Sequence, residues 1–340
     1  MKKHGSLFAS VFSHENMYMA YLDARKNKRN RRCCFQFEKR LGYNLKRLHD
    51  SIHENSYHPE PYFEFTVYEP KERTIFAPAF ADLVVQHAIY RIVYPIFNPT
   101  FIDQSFACRK GKGTHKAADY AQQALQLSRN DSYTLKLDIR KFFYSIDRNV
   151  LEILIKNKIK DSRLVKVMMM FADHGSDLGI PIGNLLSQLY ALIYLNPLDH
   201  YIKRVLKVKL YCRYVDDFIM FDLNKNQAID YLERVVDFLE KNMHLQLSKW
   251  TLQKKSSGVN FVGYRTWAGK RFLRKRALYV ARRSMKKGNV ESLVSCLGHA
   301  RKTHSLQHLL TLTRSRHYEL YTALPDSIRR LHYSATGSSV

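Results

Sequence analysis

The sequence has 340 residues, with 56 lysines and arginines against 30 aspartates and glutamates, a net charge of +26. This length allows two or three packed subdomains, and the positive excess favours a polyanionic partner bound through its phosphates. No apolar run reaches the ~18–20 residues of a membrane span, and no apolar signal-peptide core follows the start. The five cysteines lack the spacing of a zinc site, which is typical of reduced thiols. We therefore expect a cytoplasmic nucleic-acid-binding protein with no membrane contact.

Three basic segments precede the first clear strand. Residues 25–32 hold six basic residues in eight, and the run alone leaves a solvated loop and an RNA-backbone contact equally open. Lys71 and Arg73 lie two apart in a strand-like segment, so both point to the same side. Residues 108–116 combine cations with Gly111 and Gly113 ahead of a helix, for which Thr114 is the natural N-cap. Such a segment favours phosphate contact near the helix start.

A strand is predicted over residues 133–138, where apolar and polar residues alternate and the last residue is Asp138. An amphipathic helix follows from about Arg148, capped by Asp147 or Ser145. In isolation, Asp138 is more typical of a helix-capping acid at a strand end.

A tight β-hairpin is predicted at Tyr214-Val215-Asp216-Asp217, between two short apolar runs. The two adjacent carboxylates repel each other unless cations compensate them, and Mg²⁺ prefers such hard oxygen ligands. Alone, an Asp-Asp turn is more often a solvated loop. With Asp138 brought alongside, three carboxylates could hold two metals about 3.5–4 Å apart, the spacing used for phosphoryl displacement.

The remaining elements can be predicted from their apolar patterns. An apolar helix is predicted near residues 185–195, an amphipathic helix carries the stripe Ile229, Leu232, Val236 and Leu239, and a strand lies near residues 245–249. Together with the strand and the hairpin, these elements predict a split βαβ arrangement with one open face. Beyond Tyr264 the chain becomes strongly basic with helical apolar spacing, which indicates a helical segment that grips a duplex.

Six motifs in this order resemble those of reverse transcriptases. KLDIRKFFYSID and RYVDDFIMF, about 75 residues apart, resemble the first and third palm motifs, and residues 179–196 resemble the motif between them. Residues 245–255 resemble the fourth motif, residues 261–264 the primer grip, and residues 68–75 the fingers strand. The resemblance implies an α+β right-hand polymerase: N-terminal extension and fingers over 1–132, a ferredoxin-like palm over 133–264 and a basic helical thumb over 265–340.

The resemblance also implies roles for particular residues. Asp138, Asp216 and Asp217 would be catalytic and, with Ile139, would bind two Mg²⁺ ions, with Mn²⁺ as the alternative ion. Lys71 and Arg73 would contact the triphosphate, Phe143 would be the aromatic gate against a 2′-hydroxyl, and Tyr214 would pack near the primer terminus. The implied nucleotide-binding set is completed by Ile182, Gly183, Gln188 and Lys249. Substrates would be deoxynucleoside triphosphates, an RNA template and a DNA or RNA primer.

One departure from the common pattern narrows the resemblance. Most reverse transcriptases have Gln-Gly where this chain has Ile182-Gly183, and Ser-Pro where it has Ser187-Gln188. This form is similar to the reverse transcriptases of diversity-generating retroelements. The similarity implies error-prone copying of a template-repeat RNA into cDNA that diversifies a target gene, together with a small basic pentameric accessory protein. The alternatives are a retron or group II intron-type reverse transcriptase and an RNA-binding scaffold with an inactive polymerase fold.

Overall fold

The computed structural model describes residues 3–68 and 72–333. Lys71 therefore lies outside the described residues. Within them the chain is mixed helix and sheet. The helices are α1 Phe8–Val11, α2 His14–Ala24, α3 Arg32–Glu38, α4 Leu41–His53, α5 Phe80–Phe97, α6 Thr114–Leu127, α7 Phe142–Ser145, α8 Arg148–Lys156, α9 Ser162–Met170, α10 Leu185–His200, α11 Lys225–Met243, α12 Lys275–Lys286, α13 Val290–Ala300, α14 Ser305–Arg316, α15 Tyr318–Thr322 and α16 Asp326–Tyr333. The strands are β1 Phe63–Val67, β2 Arg73–Ala77, β3 Tyr133–Ile139, β4 Tyr211–Tyr214, β5 Asp217–Leu223, β6 Leu247–Lys254, β7 Val259–Phe261, β8 Tyr264–Thr266 and β9 Arg271–Leu273.

The chain divides into two compact units, and the first comprises residues 1–109, 138–207 and 233–249. Its core is formed by two apolar helices, α5 and α10, with α2 and α8 packed against them. The antiparallel hairpin β1–β2 belongs to the same unit. Because α5 and α10 are apolar around most of their circumference, both are buried.

The second unit comprises residues 110–137, 208–232 and 250–340. It contains β4, β5 and most of β3 and β6 from a four-stranded sheet of order β4–β5–β3–β6. A three-stranded antiparallel sheet of order β7–β8–β9 follows. Helices α12–α16 pack around a separate apolar cluster that includes Tyr264, Leu273, Leu297 and Leu309.

Several local predictions are confirmed. The strand ending near Asp138 is β3, the hairpin is β4–β5, and the apolar helix near 185–195 is α10. Of the two proposed caps for α8, Asp147 is correct, because its carboxylate accepts from the backbone amides of Asn149 and Val150. The three-part division into fingers, palm and thumb stays a prediction.

Three local details of the sequence prediction are wrong. Thr114 is the first residue of α6, and Gly113, at φ +113°, takes the cap position without a side-chain hydrogen bond. Ile229 is 43% exposed, and Ala228 is buried in its place, whereas Leu239 of the predicted stripe is fully buried and Leu232 and Val236 are half-buried. The strand predicted near residues 245–249 begins at Leu247 and continues to Lys254, beyond the predicted end.

Two expectations from composition concern membranes and cysteines. No helix in the described ranges is both long and apolar enough to cross a bilayer. The five cysteines are free thiols, and Cys34 and Cys212 are buried.

Candidate functional site

The acidic tip predicted from the sequence is a two-residue hairpin turn. Tyr214 pairs with Asp217, which leaves Val215 and Asp216 as the turn. Val215 has φ +55°, a left-handed conformation that is strained for a β-branched residue. The buried guanidinium of Arg213 donates to the Val215 carbonyl oxygen at 3.0 Å. The sheet therefore holds the backbone of this turn in a conformation that a valine does not favour on its own.

A lysine on the neighbouring strand neutralises one of these acids. The Lys136 ammonium lies 2.6 Å from a carboxylate oxygen of Asp217 and donates to the Asn260 carbonyl oxygen at 2.7 Å. Both side chains of the ion pair are largely buried. Sequence reasoning missed this role of Lys136. The available signal was its place on β3, two residues before Asp138 and on the same face of the strand.

Asp138 lies in the first unit beside the start of β6. The Ser248 hydroxyl donates to the Asp138 carboxylate and also contacts its main-chain oxygen at 3.1 Å. The Ile139 side chain is buried and apolar, so only its carbonyl oxygen could bind a metal. Lys249 follows Ser248 on β6 and is exposed.

The donor chemistry of these positions fits a hard divalent cation. Asp138, Asp216 and Asp217 supply carboxylate oxygens, the ligand type that Mg²⁺ prefers. No group of three or more His, Cys, Asp or Glu side chains that could hold a metal occurs among the described residues. Asp138 belongs to the first unit and the other two acids to the second. The metal triad therefore stays a prediction.

The loop over residues 179–184 brings several predicted nucleotide-site residues together within the first unit. The amide of Phe76 on β2 donates to the Ile182 carbonyl oxygen at 2.7 Å, and the amide of Ile180 donates to the Phe143 carbonyl oxygen at 2.8 Å. The loop is thus hydrogen-bonded on one side to the strand that carries Arg73 and on the other to α7, which carries Phe143.

Two glycines permit this close packing. Gly179 has φ +90°, and a Cβ there would lie 2.8 Å from the Tyr144 Cα atom. Gly183 has φ +110°, and a Cβ there would lie 2.8 Å from Cγ2 of Ile75. Any side chain would therefore meet both backbone strain and a steric clash. The Ile182 side chain itself is half-buried.

A buried glutamine, to which the sequence assigned no role, anchors the end of this loop. Gln86 on α5 is fully buried, and its amide nitrogen donates to the Asn184 side-chain oxygen at 2.7 Å. Its carbonyl oxygen accepts from the backbone amides of Leu185 and Leu186 at 3.1 and 3.4 Å. Gln86 thereby satisfies free amides at the start of α10, where Asn184 forms no side-chain cap. No local sequence pattern could have revealed a partner about 100 residues away.

The other predicted contact residues are either exposed or half-buried. Arg73 on β2 and Gln188 in the first turn of α10 are exposed. Phe143 is half-buried, with its ring edge-on to Phe142 at a centroid distance of 5.5 Å. In the second unit, Tyr214 is half-buried at the end of β4.

A polar cluster in the second unit links the predicted primer-grip tyrosine to two histidines. The Tyr264 hydroxyl donates to the His299 carbonyl oxygen at 2.8 Å and lies 3.0 and 3.3 Å from Nδ1 of His299 and His115. Burial raises the pKa of Tyr264 to about 12, while burial and the neighbouring His115 lower the pKa of His299. The cluster joins α6, β8 and α13, which sequence reasoning did not connect.

Comparison with known proteins agrees with these motifs. Residues 69–266, more than half of the chain, match the family model described as reverse transcriptase (RNA-dependent DNA polymerase). The chain is 29% identical over 178 residues to the group II intron-encoded protein LtrA of Lactococcus lactis, covering 49% of this chain and 29% of that protein. It is 24% identical over 291 residues to protein YkfC of Escherichia coli, covering 71% of this chain and 74% of that protein.

Solved structures share the fold at low sequence identity. Telomerase from Candida tropicalis matches with a TM-score of 0.52 at 14% identity, over 83% of this chain and 58% of that one. Telomerase from Candida albicans, solved with a fragment of telomeric RNA, matches with a TM-score of 0.50 at 12% identity, over 82% of this chain and 58% of that one. The match to the family model and the motifs within it lead to one conclusion: the chain belongs to the reverse transcriptase (RNA-dependent DNA polymerase) family.

Proposed function

We propose that this chain is an RNA-directed DNA polymerase of the error-prone kind found in diversity-generating retroelements. It copies a template-repeat RNA into mutated cDNA. The observation that carries the proposal is the anchored Ile182–Gly183 loop. The loop is hydrogen-bonded to the strand of Arg73 and to the helix of Phe143. An apolar side chain thus occupies the position where most of the family has a nucleotide-positioning glutamine.

The residues proposed to bind metal are Asp138, Asp216, Asp217 and the carbonyl oxygen of Ile139. A bound pair of Mg²⁺ ions would activate a 3′-hydroxyl and neutralise the pyrophosphate leaving group. Arg73, with Lys71, binds the triphosphate, because a guanidinium engages phosphate oxygens in pairs. Phe143 excludes a 2′-hydroxyl, and Ile182 offers only apolar contact to the nucleotide.

An apolar group at position 182 predicts weakened selection. A hydrogen bond that distinguishes a correct from an incorrect nucleotide contributes about 0.5–1.5 kcal/mol net, and a site that lacks it discriminates less. Two further parts of the proposal rest on the family resemblance alone. One is the restriction of errors to template adenines, and the other is a small basic pentameric accessory protein.

A group II intron-type reverse transcriptase is the second candidate. The names of two relatives favour it: the intron-encoded LtrA protein and nuclear intron maturase 4 of Arabidopsis thaliana, 29% identical over 42% of this chain. The chain spans less than a third of the length of either relative.

Primer extension by the purified chain on a defined RNA separates these candidates. The template would contain all four bases in several contexts, and the cDNA would be sequenced. Misincorporation concentrated opposite adenine supports the proposed function. Accurate cDNA supports the intron-type alternative, and no extension with Mg²⁺ or Mn²⁺ supports the RNA-binding scaffold.

A further inference from the structure

The second unit carries an aromatic and cationic surface that is distant in sequence from the acidic hairpin turn. Apart from Lys255, the last residue of the fourth motif, it lies outside the six motifs described above. It is formed by the outer face of the β7–β9 sheet and the turn between β8 and β9. We call it the Trp267 surface and define it by Lys255, Arg265, Trp267, Lys270 and Phe272.

The sheet register shows why these side chains share a face. Val259, Phe261, Tyr264 and Leu273 are buried on the inner face. The alternate positions Asn260, Arg265 and Phe272 pair across the three strands and so form one row on the other face. Phe272 remains 36% exposed. A sheet with one buried face and an aromatic, cationic outer face resembles a stacking platform rather than a second core layer.

The turn fixes an indole ring at the end of this row. The Trp267 amide donates to the Lys270 carbonyl oxygen at 2.8 Å, and the Ala268 carbonyl accepts from Gln122 and Gln126 of α6. Behind the ring, a Cβ at Gly258 would lie 2.8 Å from Cδ1 of Trp267. The ring is therefore supported by backbone, which reduces the entropy lost when a ligand stacks on it.

Cations surround the ring. The Arg265 guanidinium and the Lys270 ammonium lie over the half-buried ring, 5.1 and 5.5 Å from its centroid. A base that stacks on the ring therefore moves one of these cations from the ring to its own phosphates. A depression beside it is lined by Asn130, Lys255, Ser256, Trp267, Ala268, Gly269 and Lys270, and none of these described residues is acidic.

The surrounding sequence gives the surface one sign of charge. Residues 250–290 contain no aspartate or glutamate and twelve cations: Lys254, Lys255, Arg265, Lys270, Arg271, Arg274, Lys275, Arg276, Arg282, Arg283, Lys286 and Lys287. Arg271 is buried and pairs with Asp119, but the excess of the other cations favours a polyanion. A supported aromatic ring favours a flat, unpaired base. A duplex does not offer such a base, because its bases are already stacked.

We propose that the Trp267 surface binds single-stranded RNA, with one base stacked on Trp267 and the neighbouring phosphates on Arg265 and Lys270. The choice of RNA rests on the proposed function. The site differs from the predicted primer grip, because the turn at residues 262–263 and the turn at residues 267–270 lie at opposite ends of β8.

Intrinsic fluorescence offers a direct test, because the chain has two tryptophans, Trp250 and Trp267. In a Trp250→Phe variant of the full chain, Trp267 is the sole indole. Titration with an unstructured 12-nucleotide RNA should quench its emission, whereas a blunt RNA–DNA hybrid should not. Emission unchanged at RNA concentrations that saturate binding would overturn the proposal, and this measurement does not require a variant at Trp267.

Affinity measurements complete the test. Trp267→Ala should weaken binding of the labelled 12-mer by about 5- to 100-fold, the effect of one stacked base, and Trp267→Phe should retain most of the affinity. The matched control Trp250→Ala removes an indole that is 52% exposed on β6 and should change affinity less than twofold. Equal losses for the hybrid and the single strand would contradict the proposal, as would tighter binding of an acidic peptide than of RNA.

Charge removal and primer extension separate this proposal from the proposed function. Arg265→Gln with Lys270→Gln should lower the log–log salt slope for the 12-mer by about 1.4, at ~0.7 per phosphate of a single strand, whereas Lys156→Gln on α8 should leave it unchanged. A DNA 12-mer of the same sequence tests whether the surface selects RNA over any single strand: binding as tight as that of RNA would overturn the assignment to RNA.

Trp267→Ala should extend a saturating primed hybrid at the wild-type rate, so a failure of polymerisation in wild type would refute the proposed function alone.

Discussion

The acidic hairpin β4–β5 and the loop over residues 179–184 are stabilised in opposite ways. In the hairpin, a valine occupies a left-handed turn position, and Lys136 and Arg213 hold the turn by charge and hydrogen bonding. In the loop, the left-handed positions are glycines, and its partners are the backbone of β2 and α7 and the Gln86 side chain. The hairpin thus retains local strain around charged groups, whereas the loop is unstrained but depends on distant parts of the chain.

The largest expected effect tests the role of the hairpin acids. Asp216→Asn, or Asp138→Asn in the other unit, should reduce DNA synthesis on primed RNA by at least about 10³-fold, because metal-held charge stabilisation is worth several kcal/mol. RNA affinity should be nearly unchanged. Single-turnover extension with Mg²⁺, alongside a binding titration, measures both quantities.

Asp222→Asn is the matched control for this prediction. Asp222 lies near the far end of β5 and pairs with Arg129, so its loss removes an equal charge from the same hairpin without touching the turn. If Asp216→Asn and Asp222→Asn retained similar activity, Asp216 would have no catalytic role, and the contrast between the turn and the rest of the hairpin would fail.

The hairpin and the loop also differ in how much of each could be predicted from the sequence. Asp138, Asp216 and Asp217 could be predicted as a set, because their motifs are contiguous and the alternation around them is visible; their joint role stays a prediction. Arg73, Phe143 and Ile182 were grouped by resemblance, and the structure brings their segments together. Gln86, Lys136 and the Tyr264–His115–His299 cluster could not be predicted, because each works through a tertiary contact. The exposure of Ile229 on α11 has a similar cause: tertiary packing buries Ala228 instead, and an alanine is too small to mark a face.

The second prediction concerns the glutamine that anchors the loop. Gln86→Leu keeps much of the volume but leaves the amides of Leu185 and Leu186 and the Asn184 side chain without this partner. An unmet buried donor costs about 1–3 kcal/mol, so we expect the free energy of unfolding to fall by about 2–4 kcal/mol. Urea denaturation provides the value. The control Gln123→Leu, at an exposed position of α6, should change it by less than ~0.5 kcal/mol. Equal effects of the two substitutions would show that the Gln86 contacts add nothing.

The third prediction is a pH-dependent stability near the loop over residues 179–184 that the hairpin β4–β5 does not share. Burial, and to a lesser degree the nearby Arg148 guanidinium, lower the pKa of His174, whose ring packs edge-on against Phe76 at 4.9 Å. Its neutral form is therefore favoured in the folded state. The associated stability is fully present above the unfolded pKa of about 6.5 and is lost as the pH falls through the lower folded value.

Hydrogen exchange locates this effect. After correction for intrinsic rates, amides over residues 172–184 should lose protection between pH 7.5 and pH 5 in wild type, and the loss should be smaller in His174→Gln. Strands β4 and β5 should keep their protection over this range. A uniform loss in both regions, or an unchanged pH response in the variant, would assign the effect to other groups.

The smallest expected effect addresses fidelity. If Ile182 leaves the incoming nucleotide without a polar contact, Ile182→Gln should restore one hydrogen bond of ~0.5–1.5 kcal/mol and lower misincorporation only several-fold. The loop should tolerate the change, because Ile182 is held through its carbonyl oxygen and its side chain is half-buried.

Sequencing cDNA from wild type and variant on one template gives the error spectra. Ile182→Val, which stays apolar, is the control and should retain the wild-type spectrum. An improvement opposite every template base would mean that the apolar side chain weakens selection generally, and that adenine preference originates elsewhere. Identical spectra for Ile182→Gln and wild type would mean that Ile182 serves only to pack the loop against β2.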